Sequence, residues 1–128
     1  MSPTHVLMQS DVCGAYLQAL IGGRPVFIIL PVEFWPQFWI DAGYRVPVLR
    51  LQRALYGLQR SGFDWMKHAD IVLKYHGWCP IVDVADSMYQ RKTACGSFIM
   101  MALYVDDLLV SGPEHEVRAD MQQLRRIV

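Results

Sequence analysis

The stretch Phe98-Ile99-Met100-Met101-Ala102-Leu103-Tyr104-Val105-Asp106-Asp107-Leu108-Leu109-Val110 restricts this chain more than any other part of it. Two adjacent carboxylates interrupt a run that otherwise suits two buried strands. Like charges a few ångströms apart resist joint ionisation, so burying the pair without a counter-charge is costly. If the chain reverses at Asp106-Asp107, the tip presents their oxygens to a hard divalent ion such as magnesium. A solvated turn is the other reading of a bare Asp-Asp pair, since turns favour Asp for local hydrogen bonding. The apolar flanks favour the cation.

A single hairpin does not make a two-metal site. Phosphoryl transfer by that route uses two ions about 3.5–4 Å apart, which requires a further carboxylate from a neighbouring element. Asp11 is the best candidate, because it follows a short apolar strand at residues 6–8 that could lie beside the hairpin. Asp41, Asp64, Asp70, Asp83, Asp86 and Asp120 lack that strand-end setting.

The rest of the sequence supplies a scaffold for such a tip. Residues 26–30 form a continuous apolar, β-branched run that reads as a buried strand, after the breaker loop at 22–25. Residues 31–47 combine three prolines with Phe34, Trp35, Phe38, Trp39 and Tyr44, which predicts irregular structure packed by large side chains. A short strand is expected over 48–51. Ser61 reads as a helix N-cap, with Asp64 in the first turn. Trp65, Ala69, Val72 and Leu73 recur at helical spacing, and Gly77 is a natural stop. Residues 88–92 and 97–104 predict a hairpin. The strand at 108–110 is expected to end at Ser111-Gly112-Pro113, and Val117, Met121, Leu124 and Val128 predict a last helix.

With 128 residues the chain is one domain's worth of protein. Its 53% hydrophobic and 19% charged residues exclude disorder and leave apolar surface for something else to cover. Twelve basic and twelve acidic residues give no net charge, which argues against a free-standing nucleic-acid binder. It counts less against a site built from carboxylates. Cys13, Cys79 and Cys95 form no CxxC pair, so reduced cysteines of an intracellular protein are expected. No signal-peptide pattern and no run of about 20 apolar residues is present, so neither secretion nor a membrane is expected.

Five blocks in order carry a family resemblance. Residues 104–112, Tyr104-Val105-Asp106-Asp107-Leu108-Leu109-Val110-Ser111-Gly112, resemble the catalytic hairpin of copia-type retrotransposon reverse transcriptases. Ala54-Leu55-Tyr56-Gly57-Leu58, with Trp65 after it, resembles their next most recognisable block. Asp11-Val12 with Ala15-Tyr16-Leu17 resembles the first catalytic block, and Val26-Phe27 through Pro31 and Phe34 the strand and loop that follow it. Asp86, with Tyr89 beyond it, resembles the short block before the hairpin.

The resemblance implies an α+β fold: a polymerase palm with a small antiparallel sheet and helices packed on one face. It implies a partial reverse transcriptase domain over 1–128, palm with part of the fingers, without thumb or ribonuclease H. The implied reaction is RNA-directed DNA synthesis on an RNA template and DNA primer, consuming deoxynucleoside triphosphates. Two Mg2+ or Mn2+ ions would be held by Asp11 and Asp106, with Asp107 in support. The backbone around Val12 would reach the triphosphate. Tyr16 falls where the family places an aromatic against the ribose 2′-hydroxyl, and an ordinary core aromatic is the equal alternative. Tyr56 and Gly57 would lie near nucleotide and template, and Trp65 would pack helix against sheet. The setting implied is the rest of a retrotransposon polyprotein in the cytoplasm or nucleus, inside a virus-like particle for an intact element.

The sequence also departs from that pattern. Gln59, Arg60, Ser61, Gly62 and Phe63 stand where the family commonly has Lys, Gln, a small residue, Pro and Arg, so positive charge is lost beside the nucleotide, with Arg60 as a partial replacement. Cys13 and Gly14 also depart. Intact carboxylates with altered support are the mark of a decaying or diverged element. Two alternatives follow: a catalytically inactive remnant, and a protein-interaction module using the apolar surface around Trp35 and Trp39.

Overall fold

The computed structural model describes residues 4–128. Seven strands and four helices follow one another as β1 (His5–Asp11), α1 (Ala15–Gln18), β2 (Phe27–Ile29), α2 (Gln37–Asp41), β3 (Val48–Arg50), α3 (Ser61–Tyr75), β4 (Cys79–Pro80), β5 (Met88–Lys92), β6 (Phe98–Tyr104), β7 (Asp107–Pro113) and α4 (Glu114–Ile127). Five strands form an antiparallel sheet in the order β1-β7-β6-β5-β4, and β2 and β3 form a separate ribbon. The architecture is therefore α+β, as the sequence predicts. No described helix is long and apolar enough to cross a membrane.

Alternation along the central strands decides where the core lies. Ile99, Met101 and Leu103 of β6 and Leu108 and Val110 of β7 point to one face and are buried. On that face they share a core with Trp65, Ala69 and Leu73 of α3 and with Val117, Met121 and Leu124 of α4. Both helices thus bury the stripe their 3.6-residue period predicts. The residues between, Phe98, Met100, Tyr104 and Leu109, are exposed on the opposite, open face, as is Leu7 of β1.

Three expectations change. The run at 26–30 does form a strand, but it is not buried: Phe27 and Ile29 are 60% and 62% exposed. It sits in a two-stranded ribbon, and the aromatics around it stay largely in solvent, with Phe34, Phe38 and Tyr44 all exposed. Trp35 and Trp39 make an edge contact at 6.3 Å, and the Trp35 indole donates to the Leu30 carbonyl. Ser61 is not an N-cap. It is the first residue of α3, and its hydroxyl donates to the Leu55 carbonyl at 2.5 Å.

The third change is at Ser111-Gly112-Pro113, which forms the end of β7 itself rather than a breaker after it. The strand runs through it to pair with β1, Gly112 facing Val6 and Pro113 facing His5. Proline is tolerated because Pro113 lies beyond the residues of β7 that pair with β6, so on that side it has edge-strand surroundings. Gly112 sits at a close approach. A Cβ there would stand 3.1 Å from Ile99 Cγ1 and 3.3 Å from Val117 Cγ2. Gly112→Val is accordingly expected to destabilise the fold by about 2 kcal/mol through overpacking, measured as a lowered urea midpoint with an unchanged slope.

Candidate metal centre

The hairpin of β6 and β7 closes on Val105 and Asp106, with Tyr104 and Asp107 as the last facing pair. Val105 has φ 55°, and among the described residues it is the only non-glycine at positive φ. A two-residue hairpin turn calls for positive φ at its first position, where glycine is the usual choice. A β-branched residue is strained there. The strain is opposed from two sides. The indole N–H of Trp65, fully buried on α3, donates to the Val105 carbonyl at 2.5 Å. The Val12 N–H donates to the Asp106 carbonyl at 2.6 Å. Both turn carbonyls are thus tied to other elements.

The pairing of β1 with β7 places Asp11 directly opposite Asp107. Asp107 accepts a hydrogen bond from the protonated Asp11 and repels its charged form, and together these raise the Asp11 carboxyl above its ordinary value of 3.8. A small loss of hydration and the charge of Asp106 push it the same way. Asp11 and Asp107 therefore face each other at the end of the sheet, while Asp106 acts on Asp11 through charge. Among the described residues no group of three or more His, Cys, Asp or Glu is placed to hold a metal ion together. The facing pair Asp11 and Asp107 is the number of carboxylates that magnesium usually takes from a protein, its shell being completed by water and substrate phosphates.

The raised Asp11 value fixes a pH dependence. The folded chain binds that proton more tightly than the unfolded chain, so the stabilisation is fully present below pH 3.8 and is lost as pH rises through the raised folded value. At neutral pH without divalent ions the pair is repulsive. Asp11→Asn is expected to raise the melting temperature by about a degree or two there, the effect being small because exposed charges are screened. Added magnesium should stabilise the unsubstituted chain and not the variant. A lower melting temperature in metal-free Asp11→Asn would contradict the repulsion.

The remaining candidate residues gather in two places. Tyr16 of α1 stacks on Tyr56 with ring centroids 4.5 Å apart, and Gly57 beside it has φ 94°. The space over Gly62 faces the Tyr16 hydroxyl, which a Cβ there would approach to 3.6 Å. Arg60 lies apart from the carboxylates' contacts. Its Nε donates to the buried Asp64 at 3.1 Å, and its guanidinium packs against Gly22 and Gly23 and over the Phe63 ring. The Val12 N–H is committed to the turn. Sequence reasoning treated Trp65 as packing alone and missed its bond to the tip. A buried aromatic that also carries a donor was the available signal.

Residues 2–126 match the family described as reverse transcriptase (RNA-dependent DNA polymerase). A transposon Ty5-1 protein of Saccharomyces cerevisiae is 34% identical over 113 residues, covering 88% of this chain and 34% of its own length. The retrovirus-related Pol polyprotein from transposon TNT 1-94 of Nicotiana tabacum is 26% identical over 87 residues, covering 68% of this chain and 6% of its own length. The chain thus spans about a third of the first relative and a small part of the second. No solved structure matches.

Proposed function

The chain belongs to the reverse transcriptase (RNA-dependent DNA polymerase) family, as a copia-type partial domain, and from that premise we propose that it forms the palm of an RNA-directed DNA polymerase within a larger retrotransposon polyprotein. The observation that carries this reading is the opposition of Asp11 and Asp107 across β1 and β7, beside Asp106 at the tip. Asp11, Asp106 and Asp107 would hold two magnesium or manganese ions. Such ions, when bound, neutralise charge on the attacking 3′-oxygen and on the departing pyrophosphate. The chain's own contribution is positioning: β1 and β7 fix the carboxylates at the sheet end, and Val12 and Trp65 hold the turn that carries them. Tyr16, held flat against Tyr56, would bound the nucleotide's sugar, with Gly57 close to the template. The open face of the sheet, where Leu7, Tyr104 and Leu109 are exposed, would receive primer and template.

The test is primer extension on an RNA template with deoxynucleoside triphosphates and either Mg2+ or Mn2+, using the chain and its Asp106→Asn variant. Synthesis lost in the variant supports the reading. The engagement of Arg60 by Asp64 favours a second reading, an inactive remnant, because the replacement cation is already neutralised within the fold. A folded chain that takes up Mn2+ and synthesises nothing would establish that second reading.

A further inference from the structure

We infer that Trp65 is a positioning residue for the carboxylate tip, acting through its indole N–H rather than through bulk alone. The inference deepens the reading of the tip as a cation site and names what holds it. Val105 occupies a conformation that a β-branched residue resists, with φ 55°. Relaxation to negative φ would swing the peptide planes on either side and move Asp106 and Asp107, the next two residues, relative to Asp11. The Val105 carbonyl is the part of that unit most directly displaced, and it is the atom to which the Trp65 Nε1 donates.

The donor itself is held in the core. Trp65 is fully buried on α3, which is anchored in the core through Ala69 and Leu73. The second restraint, from Val12 to the Asp106 carbonyl, comes from β1. The two differ in kind. The Val12 bond is backbone and survives any side-chain change, whereas the Trp65 bond depends on one side chain. Phenylalanine at 65 would keep an aromatic ring in the core and remove only the donor and part of the volume. Glycine at 105 accepts positive φ without penalty and would make the restraint unnecessary.

The experiment uses the full chain and three variants: Trp65→Phe, Val105→Gly and the two combined. Amide hydrogen exchange at residues 105–107 is followed by NMR, and Mn2+ affinity by electron paramagnetic resonance. Trp65→Phe is expected to speed exchange at the tip about tenfold, the worth of one hydrogen bond, and to weaken Mn2+ binding severalfold. Val105→Gly in that background should return both to within about twofold of Val105→Gly alone, which a packing role does not predict. Unchanged tip exchange in Trp65→Phe overturns the inference, and so does a loss that Val105→Gly fails to relieve. If Trp65→Phe does not fold, the indole N–H of the unsubstituted chain decides: protection comparable to core amides supports the inference and free exchange overturns it. A chain that binds no Mn2+ yet shows the tip response and its rescue defeats the metal reading and leaves the positioning role supported.

Discussion

Changing Asp106 to Asn is expected to lower RNA-templated incorporation by a factor on the order of 10² to 10³. Asparagine keeps the size of the side chain and removes its charge, so the variant isolates electrostatics from shape. The chemistry asks little proton transfer of the protein and much charge neutralisation, which is why one lost carboxylate weighs so heavily. Asp11→Asn should give a loss of the same order. The double variant should be little worse than either alone, because residues that serve one site act as a unit. Single-turnover extension rates check both statements, with circular dichroism melts to show that the fold persists. Activity retained in Asp106→Asn would mean that the turn carboxylate is a solvated polar residue, the alternative its sequence left open.

The second large effect concerns stability, at the junction of α4 with β5. Asp120 of α4 is 2% exposed and pairs with Arg91 of β5, whose guanidinium lies over the Trp78 ring at 5.7 Å. The pair joins the last helix to the far half of the sheet. Its satisfaction is incomplete, since Arg91 Nε and Asp120 Oδ2 have no partner. Asp120→Ala would leave a guanidinium with its counter-charge gone, and the expected cost is about 3 kcal/mol, the low end for breaking a buried pair because Arg91 keeps some contact with water. That is a large share of a domain's typical stability of roughly 5–15 kcal/mol. Replacing both residues, Arg91→Met with Asp120→Leu, should recover most of the loss, since an apolar pair of similar volume carries no desolvation penalty. Urea denaturation of the three variants measures this. A double variant as unstable as Asp120→Ala would show that the pair is net stabilising.

The sequence was most legible where pattern and period agree. The two long helices follow from Trp65, Ala69 and Leu73 and from Val117, Met121 and Leu124. The tip follows from two carboxylates between apolar strands. Burial of the strand at 27–29 was misjudged because a continuous apolar run looks the same whether or not anything covers it, and Phe27 and Ile29 are not covered. Ser61 resembled a cap because serine at a helix start usually is one, and only the position of Leu55 reveals its other partner. The Arg91–Asp120 pair leaves no local pattern at all. That Asp107 rather than Asp106 faces Asp11 depends on strand register, where a slip of one residue exchanges the two faces. No reading of composition fixes that parity.

The order of strands in the sheet carries a consequence for how the site comes into being. β5, β6 and β7 are neighbours both in the chain and in space, so their pairing closes only short loops. β1 precedes the other four strands of the sheet in sequence but pairs with β7, the last of them. Closing so long a loop is slow, and it brings no reward until the late strand exists. During synthesis Asp11 therefore waits, without its β7 partner, until residues 12–107 have been made. The carboxylates meet only once the hairpin that carries Asp107 has left the ribosome, so the contact between Asp11 and Asp107 is made after every other strand of the sheet has been synthesised.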